Sequence, residues 1–375
     1  MKILLAAGIF YPDVGGPAIH VRKIAERLIV EKFDVTVIAY GDDKAGQTFS
    51  FKVKRISRKY PTSIQWLLYS LLAMKESIGA KVVYAFDPTS AGMPACLAAK
   101  IFGKPFIIRV GGDPIWERQV EEGRRFMSIL EYYKKGLYKK DKPLLYRLIK
   151  LMLSSADKIV FYNQFWKDFY NNYFKVQLEK IYVVKNPVFK KEFGSDILPE
   201  NPTVLFAGRF VSYKNLPLVM QAFNNVREKI GTGELLLIGS GPDKEKLFAL
   251  REGLESKKHI NFLDSLPQDK LFELIKQSAL CIGPALSEFN PNFILEAISF
   301  GKPVILSKGN GLTVQLSDQF LFDPFNQKEF EEKLEYLFNP ENYKQAVFKI
   351  NSLRLDQTWE KVTDFHLSLI KQFVK

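Results

Sequence analysis

Short apolar runs separated by amphipathic stretches set the pattern of this chain. Residues 2–7 (KILLAA), 34–39 (DVTVIA), 81–85 (KVVYA), 105–110 (PFIIRV), 158–162 (KIVFY) and 181–184 (IYVV) read as buried strands. Helical segments lie between them, the first over about residues 18–31. Residues 194–202 (GSDILPENP) read as a linker, and beyond it the pattern restarts. Strands are expected at 203–206, 234–238, 260–263, 280–282 and 304–306, with a helix beginning near Leu216. Strand–helix alternation of this kind builds βαβ units and parallel sheets. The expected fold class is therefore α/β, with two doubly wound domains in tandem, over residues 1–193 and 203–350. Segment 351–375 carries a terminal helix with an apolar face of Trp359, Val362, Phe365 and Leu369. Its return to the first domain and its packing on the second are both open.

In doubly wound folds ligands sit beyond the carboxyl ends of strands, so the loops there hold the candidate chemistry. The stretch 285–306 (ALSEFNPNFILEAISFGKPVIL) reads as loop, helix and strand. Asn290 suits an N-cap, Pro291 the first helical position, and Gly301 with Pro303 the end, giving a helix over about 291–300. The amides near Asn292 and Phe293 then open a helix and favour an anion. Glu288 before the helix and Glu296 within it are acceptors for sugar hydroxyls, against a plainer reading as solvated acids. Arg209 and Lys214 leave the strand 203–206 in the run GRFVSYKN. Two cations there neutralise a diphosphate and stabilise one that departs. In residues 12–17 (PDVGGP), Gly15 and Gly16 let the backbone approach a ligand ahead of the first helix. The G-x-G-x-x-G dinucleotide spacing is absent.

Charge and composition narrow the partners. A net charge of +13 points to anionic ones. Cys96 and Cys281 are the only cysteines and sit among small apolar residues, as thiols of a reducing compartment do. The three histidines and two cysteines form no zinc-ligand spacing. No apolar run approaches the roughly 20 residues that span a bilayer, and residues 1–10 read as the first strand instead of a signal peptide. The expected location is cytoplasmic, extending to a peripheral position on the inner face of the membrane. Residues 124–150 alternate basic pairs with Phe126, Tyr132, Tyr133, Tyr138 and Tyr146, which suits an anionic membrane surface; nucleic acid and a solvated face are the alternatives.

Three runs in order, GRFVSYKN, IGSGPDKEKL and SEFNPNFILEAISFGKPVI, resemble glycosyltransferase family 4 (glycosyl transferases group 1), retaining enzymes of GT-B fold. The Gly15–Gly16 loop and the Trp359 tail are similar too. The resemblance implies two Rossmann-like domains facing across a cleft. It implies that Arg209 and Lys214 hold the donor diphosphate and that Glu296 binds the ribose. Glu288 and the amides of Asn292 and Phe293 would address the transferred sugar and its phosphate, with Gly15 and Gly16 approaching from the other domain. The donor would be a UDP- or GDP-sugar with no further cofactor, and the acceptor a glycan or lipid-linked precursor. No metal and no nucleic acid are expected. A non-transferring sugar-nucleotide enzyme such as an epimerase, or a basic nucleic-acid-binding protein, are the alternatives.

The chain departs from the family pattern in places. Phe289 directly follows Glu288, Pro291 stands where a glycine is usual, and Asn215 replaces a glycine after the lysine. Many members carry a histidine just past the strand at 105–110. This chain has Gly111-Gly112-Asp113-Pro114 there, and Asp113 either takes that polar role toward the acceptor or caps a turn.

Overall fold

The computed structural model describes residues 1–13, 15–42, 48–188 and 192–374. The chain divides into two compact units. The first comprises Met1–Trp116, Tyr133–Pro187 and Gln357–Lys375; the second comprises Glu117–Tyr132 and Val188–Asp356.

In the first unit, seven strands form one parallel sheet. They are β1 (Lys2–Ala6), β2 (Asp34–Tyr40), β3 (Lys52–Ile56), β4 (Ala80–Ala85), β5 (Phe106–Arg109), β6 (Lys158–Phe161) and β7 (Ile181–Val183), in the order β3-β2-β1-β4-β5-β6-β7. The order reverses between β1 and β4, where a ligand crevice belongs. Strand β3 carries Lys52, Lys54 and Arg55 and so shows no apolar run. As an edge strand paired only with β2, it tolerates those cations, which also blunt edge-to-edge association. One face of the core joins Ile3, Leu5, Val37 and Val82 to Val21 and Ile24 of the helix Gly16–Val30. The terminal helix Trp359–Lys371 adds Val362, Leu369 and Ile370 to the same cluster, and an Arg27–Asp364 ion pair at 2.7 Å ties the two helices.

The basic and aromatic run 124–150 does not present its tyrosines to solvent. Tyr132, Tyr133, Tyr138 and Tyr146 are buried. Tyr133 and Tyr138 stack at 4.5 Å, and Tyr146 donates to the Tyr173 carbonyl at 2.9 Å. An aromatic ring that buries itself on neighbouring rings gains more than one left in water, so these side chains build core. These four tyrosines therefore take no part in the membrane-facing surface expected of the run 124–150, whereas Phe126 of the same run is exposed.

In the second unit, six parallel strands run in the order β10-β9-β8-β11-β12-β13. They are β8 (Thr203–Ala207), β9 (Glu234–Ile238), β10 (Ile260–Leu263), β11 (Leu280–Gly283), β12 (Val304–Ser307) and β13 (Leu321–Phe322). Reversal falls between β8 and β11, which pair through Val204 and Leu205. The core is Val204–Phe206, Leu235, Leu237, Ile282 and Ile305, closed by Val219 and Phe223 from the helix Leu216–Ile230 and Ile298 from Asn292–Ser299. Among the described residues no helix is long and apolar enough to cross a membrane. Cys96 and Cys281 are both free and buried.

Candidate active site

The second unit gathers its polar residues at the carboxyl ends of β8, β9, β11 and β12. Backbone contacts bring these loops together. Beyond β8, the Phe210 amide donates to the Ser240 carbonyl at 2.8 Å and the Asp243 amide to the Phe210 carbonyl at 3.1 Å. A Cβ on Gly241 would stand 2.3 Å from the Phe210 oxygen, so only glycine lets the β9 loop lie against residues 208–210. Ser212 donates to Asp243 at 2.8 Å, and a single turn of 3-10 helix over Ser212–Lys214 follows. Asn215 then reverses the chain in the left-handed region (φ 56°, ψ 33°), with its side-chain amide on the Pro324 carbonyl at 2.7 Å. Asparagine tolerates this region better than most side chains, and here its amide is anchored on a carbonyl 109 positions away.

Across the switch point, the Leu286 amide donates to the Tyr213 carbonyl at 2.8 Å. That bond sets the β8 loop beside the β11 loop, and the Lys214 ammonium donates to the Glu288 carboxylate. Both side chains are about four-fifths buried, with 18% and 20% exposure. Arg209, by contrast, is 66% exposed and stands 3.8 Å from Glu121. Burial pushes the Glu121 carboxyl up, and the neighbouring Arg209 and Arg118 charges pull it back. Sequence reasoning did not single out Glu121; its partner is 88 positions away (209 − 121) and nothing local marks it.

The Glu288 loop is held from behind by Gly311. A Cβ there would lie 1.7 Å from the Phe289 carbonyl oxygen, and Ser307 donates to the Ala285 carbonyl at 2.6 Å. Gly311→Ala is expected to destabilise the second unit by about 1–3 kcal/mol, because overpacking forces the backbone apart. Chemical denaturation read by tryptophan-independent circular dichroism checks this; a stability equal to wild type would contradict the close packing.

The helix after this loop spans Asn292–Ser299, one residue later than expected at its start. Pro291, not Asn290, takes the N-cap position, and no side chain caps the helix. Asn290 instead donates its amide to the Asn292 side chain at 3.1 Å. Its side-chain oxygen Oδ1 is buried with no hydrogen-bond partner among the described residues. The helix thus opens on backbone amides at Asn292 and Phe293, four and five positions after Glu288, a favourable place for an anion. The Phe293 ring points into the core, edge-on to Phe206 at 6.4 Å, so its contribution to such a site is its amide.

Glu296 lies one turn further and accepts from Gln268 at 3.1 Å. Burial pushes its carboxyl up to about 7, and the Gln268 bond only partly offsets this. The ordinary value is 4.5. Between these values the unfolded chain is ionised while the folded protein keeps its proton. Stability from this group is therefore full at low pH and lost as pH rises through about 7. Glu296→Gln should remove that loss: relative to the variant, wild type should melt progressively lower from about pH 5 to about pH 8. Parallel melting curves across that range would show that the carboxyl titrates normally.

The remaining expected residues lie in the first unit. Gly15 and Gly16 open the helix Gly16–Val30, which has Pro17 in its first turn and no side-chain cap. Val14 of the same motif lies outside the described residues. Asp113 is 0% exposed. One oxygen accepts the Ile115 and Trp116 amides at 3.1 and 2.8 Å, opening the helix Pro114–Glu121; the other accepts the Tyr133 and Tyr170 hydroxyls at 2.7 and 3.4 Å. Burial pushes its carboxyl up while these bonds pull it back. Such surroundings are those of a helix cap joined to the aromatic core, and they offer no face to an acceptor. Nearby in sequence, Arg109 is buried on the Asn186 side chain at 2.7 Å and the Tyr162 hydroxyl at 3.1 Å. Burial and then its charge hold the His20 and His366 imidazoles well below the ordinary range, so both are neutral core groups.

Comparison with known proteins agrees with this architecture. Residues 188–352 match the family Glycosyl transferases group 1, and residues 14–189 match Glycosyltransferase Family 4. An uncharacterized glycosyltransferase of Haemophilus influenzae is 27% identical over 219 residues, covering 57% of this chain and 61% of that protein. The match thus spans about three-fifths of that relative's length. An uncharacterized glycosyltransferase of Methanocaldococcus jannaschii is 23% identical over 338 residues, covering 83% of this chain and 82% of its own. Among solved structures, sucrose-phosphate synthase from Thermosynechococcus elongatus superposes with a TM-score of 0.78 at 16% identity, over 100% of this chain and 99% of that one. With two parallel α/β sheets of the GT-B fold and both family matches in tandem, the chain belongs to the group 1, family 4 glycosyltransferases, a retaining family that uses nucleotide-sugar donors.

Proposed function

We propose that this chain transfers a sugar, with retention and without a metal, from a UDP- or GDP-sugar to an acceptor hydroxyl on a glycan or lipid-linked precursor. The observation that carries the reading is the largely buried Lys214–Glu288 pair, with Glu288 four positions ahead of a helix, Asn292–Ser299, whose start no side chain caps. A cation, an acceptor of sugar hydroxyls and two helix-end amides then converge on one side of the switch point. Arg209 and Lys214 hold the diphosphate and stabilise the charge that grows on it as the bond from the anomeric carbon to the phosphate oxygen breaks. The amides of Asn292 and Phe293 donate to the distal phosphate. Glu288 orients the sugar through its hydroxyls, and Glu296 accepts from the ribose.

No side chain in this set is aimed as a nucleophile. The acceptor oxygen attacks from the face the diphosphate leaves, and its proton passes to a departing phosphate oxygen, giving nucleoside diphosphate and a glycoside of unchanged configuration. Catalysis is then positioning and charge stabilisation. Gly15 and Gly16 open a second helix end suited to an anionic group, and Asp113 acts as a positioning residue that fixes its own helix and Tyr133.

Incubation with donor and candidate acceptors tests the reading. Nucleoside diphosphate should appear only when acceptor is present, at a rate that EDTA leaves unchanged, and the product's anomeric proton coupling should match the donor's. An inverted product or a rate abolished by EDTA and restored by a divalent cation would refute it.

A further inference from the structure

Three helices of the first unit lie side by side and show solvent an apolar face. The helix Gly92–Ile101 packs between Thr62–Ile78 and Pro143–Ser155, and the first two also cover strands of the sheet. On Thr62–Ile78 the exposed line is Ile64, Leu67, Leu71 and Ile78, at spacings of three, four and seven that keep to one side of a helix. Leu97 and Ile101 continue it on the middle helix, and Leu144, Leu148 and Leu151 on the third. Each of these nine side chains is more than two-fifths exposed, with Leu144 at 68%. A soluble surface rarely groups so many aliphatic side chains unless something covers them.

Charge says what covers them. Lys75 falls in the exposed line of the first helix, Lys100 stands on the second, and Arg147 and Lys150 on the third. The three helices hold a single acid, Glu76, which is 5% exposed and bound by Lys2 at 2.7 Å and Lys54 at 2.6 Å. Lys100 meets Asp157 at 3.2 Å from outside these helices. Long basic side chains rising among leucines, with no exposed acid on the same helices, match acyl chains below and anionic headgroups above. A second copy of the same face would set basic side chains against basic side chains with no exposed acid on these helices to pair them.

We propose that this three-helix face docks the protein on an anionic lipid bilayer, lying in the headgroup layer without crossing it. The docking surface thus takes only Leu144, Arg147, Leu148 and Lys150 from the run 124–150, whose tyrosines are core.

Flotation with vesicles tests this and needs neither donor nor acceptor, so its outcome is separate from that of the transfer reaction. Wild type should float with vesicles of phosphatidylcholine containing phosphatidylglycerol and hardly at all with phosphatidylcholine alone, and added salt should weaken it. The triple variant Leu67→Ser, Leu71→Ser, Leu148→Ser should partition at least about tenfold less. The triple variant Lys75→Gln, Arg147→Gln, Lys150→Gln should fall by about as much, since each cation near an anionic surface adds to the attraction. Melting temperatures confirm that both variants are folded; should the leucine variant fail to fold, the charge variant and the salt dependence of wild type still decide. Wild type that stays below the vesicles at low salt overturns the proposal. So does a wild-type dimer that the leucine variant splits into monomers while vesicles are ignored, which would make the face a protein interface.

Discussion

Replacing Lys214 by alanine is expected to lower kcat by about two to three orders of magnitude, the loss typical when one preorganised partner of a developing anion is removed. The ammonium is largely buried and held by Glu288, so its charge acts in a medium where water screens it little. Arg209 sits in a different setting. Its guanidinium is mostly in solvent and only loosely placed against Glu121, so Arg209→Ala should cost about ten- to a hundredfold. Arg209→Ala should melt close to wild type, because that side chain is mostly in solvent, whereas Lys214→Ala should melt somewhat lower while staying folded, because it leaves the largely buried Glu288 carboxylate without its cation. Stopped-assay kinetics of diphosphate release read this directly. Equal rates for wild type and Lys214→Ala would remove the lysine from the chemistry.

The second large effect separates the two glutamates. At a pH above about 7, where its carboxyl is ionised, Glu296→Ala should weaken binding of the bare nucleoside diphosphate about ten- to a hundredfold, equivalent to the roughly 1.5–3 kcal/mol of a hydrogen bond to a charged group. Glu288→Gln should leave that affinity within about twofold, because the amide oxygen still accepts from Lys214. It should lower turnover, because its contact is with the transferred sugar. Calorimetric titration with the diphosphate and initial rates with the sugar nucleotide give the two numbers. A loss of diphosphate affinity of the same size in both variants would mean that the pair is misassigned.

How far the sequence reached depended on whether the deciding contact was local. Apolar runs such as 34–39 and 234–238 became β2 and β9 within a residue, because burial on both faces of a parallel sheet demands continuous apolar side chains. Strand β3 escaped because an edge position accepts Lys52, Lys54 and Arg55. The left-handed turn at Asn215 was readable from residue type alone. Asp113 was not, since its meaning rests on Tyr133 and Tyr170, 20 and 57 positions away. The tyrosines of 124–150 misled for a related reason. Their spacing fits an amphipathic surface, but the partners that bury them, Phe169, Tyr173 and Phe174, come from the later helix Gln164–Phe174. Lys214 and Glu288 were each legible as candidates. That they meet, across 74 positions, follows only from β8 and β11 being neighbours.

The donor site is the centre of this account, and thermal unfolding with a panel of nucleoside diphosphates tests it most directly. A ligand present at about a hundred times its Kd stabilises the folded protein by about 2.7 kcal/mol. UDP or GDP should raise the melting temperature of wild type, with the other diphosphates giving less, and Lys214→Ala should lose most of that rise. No response of wild type to any diphosphate, or an undiminished response in Lys214→Ala, would contradict the donor site described here.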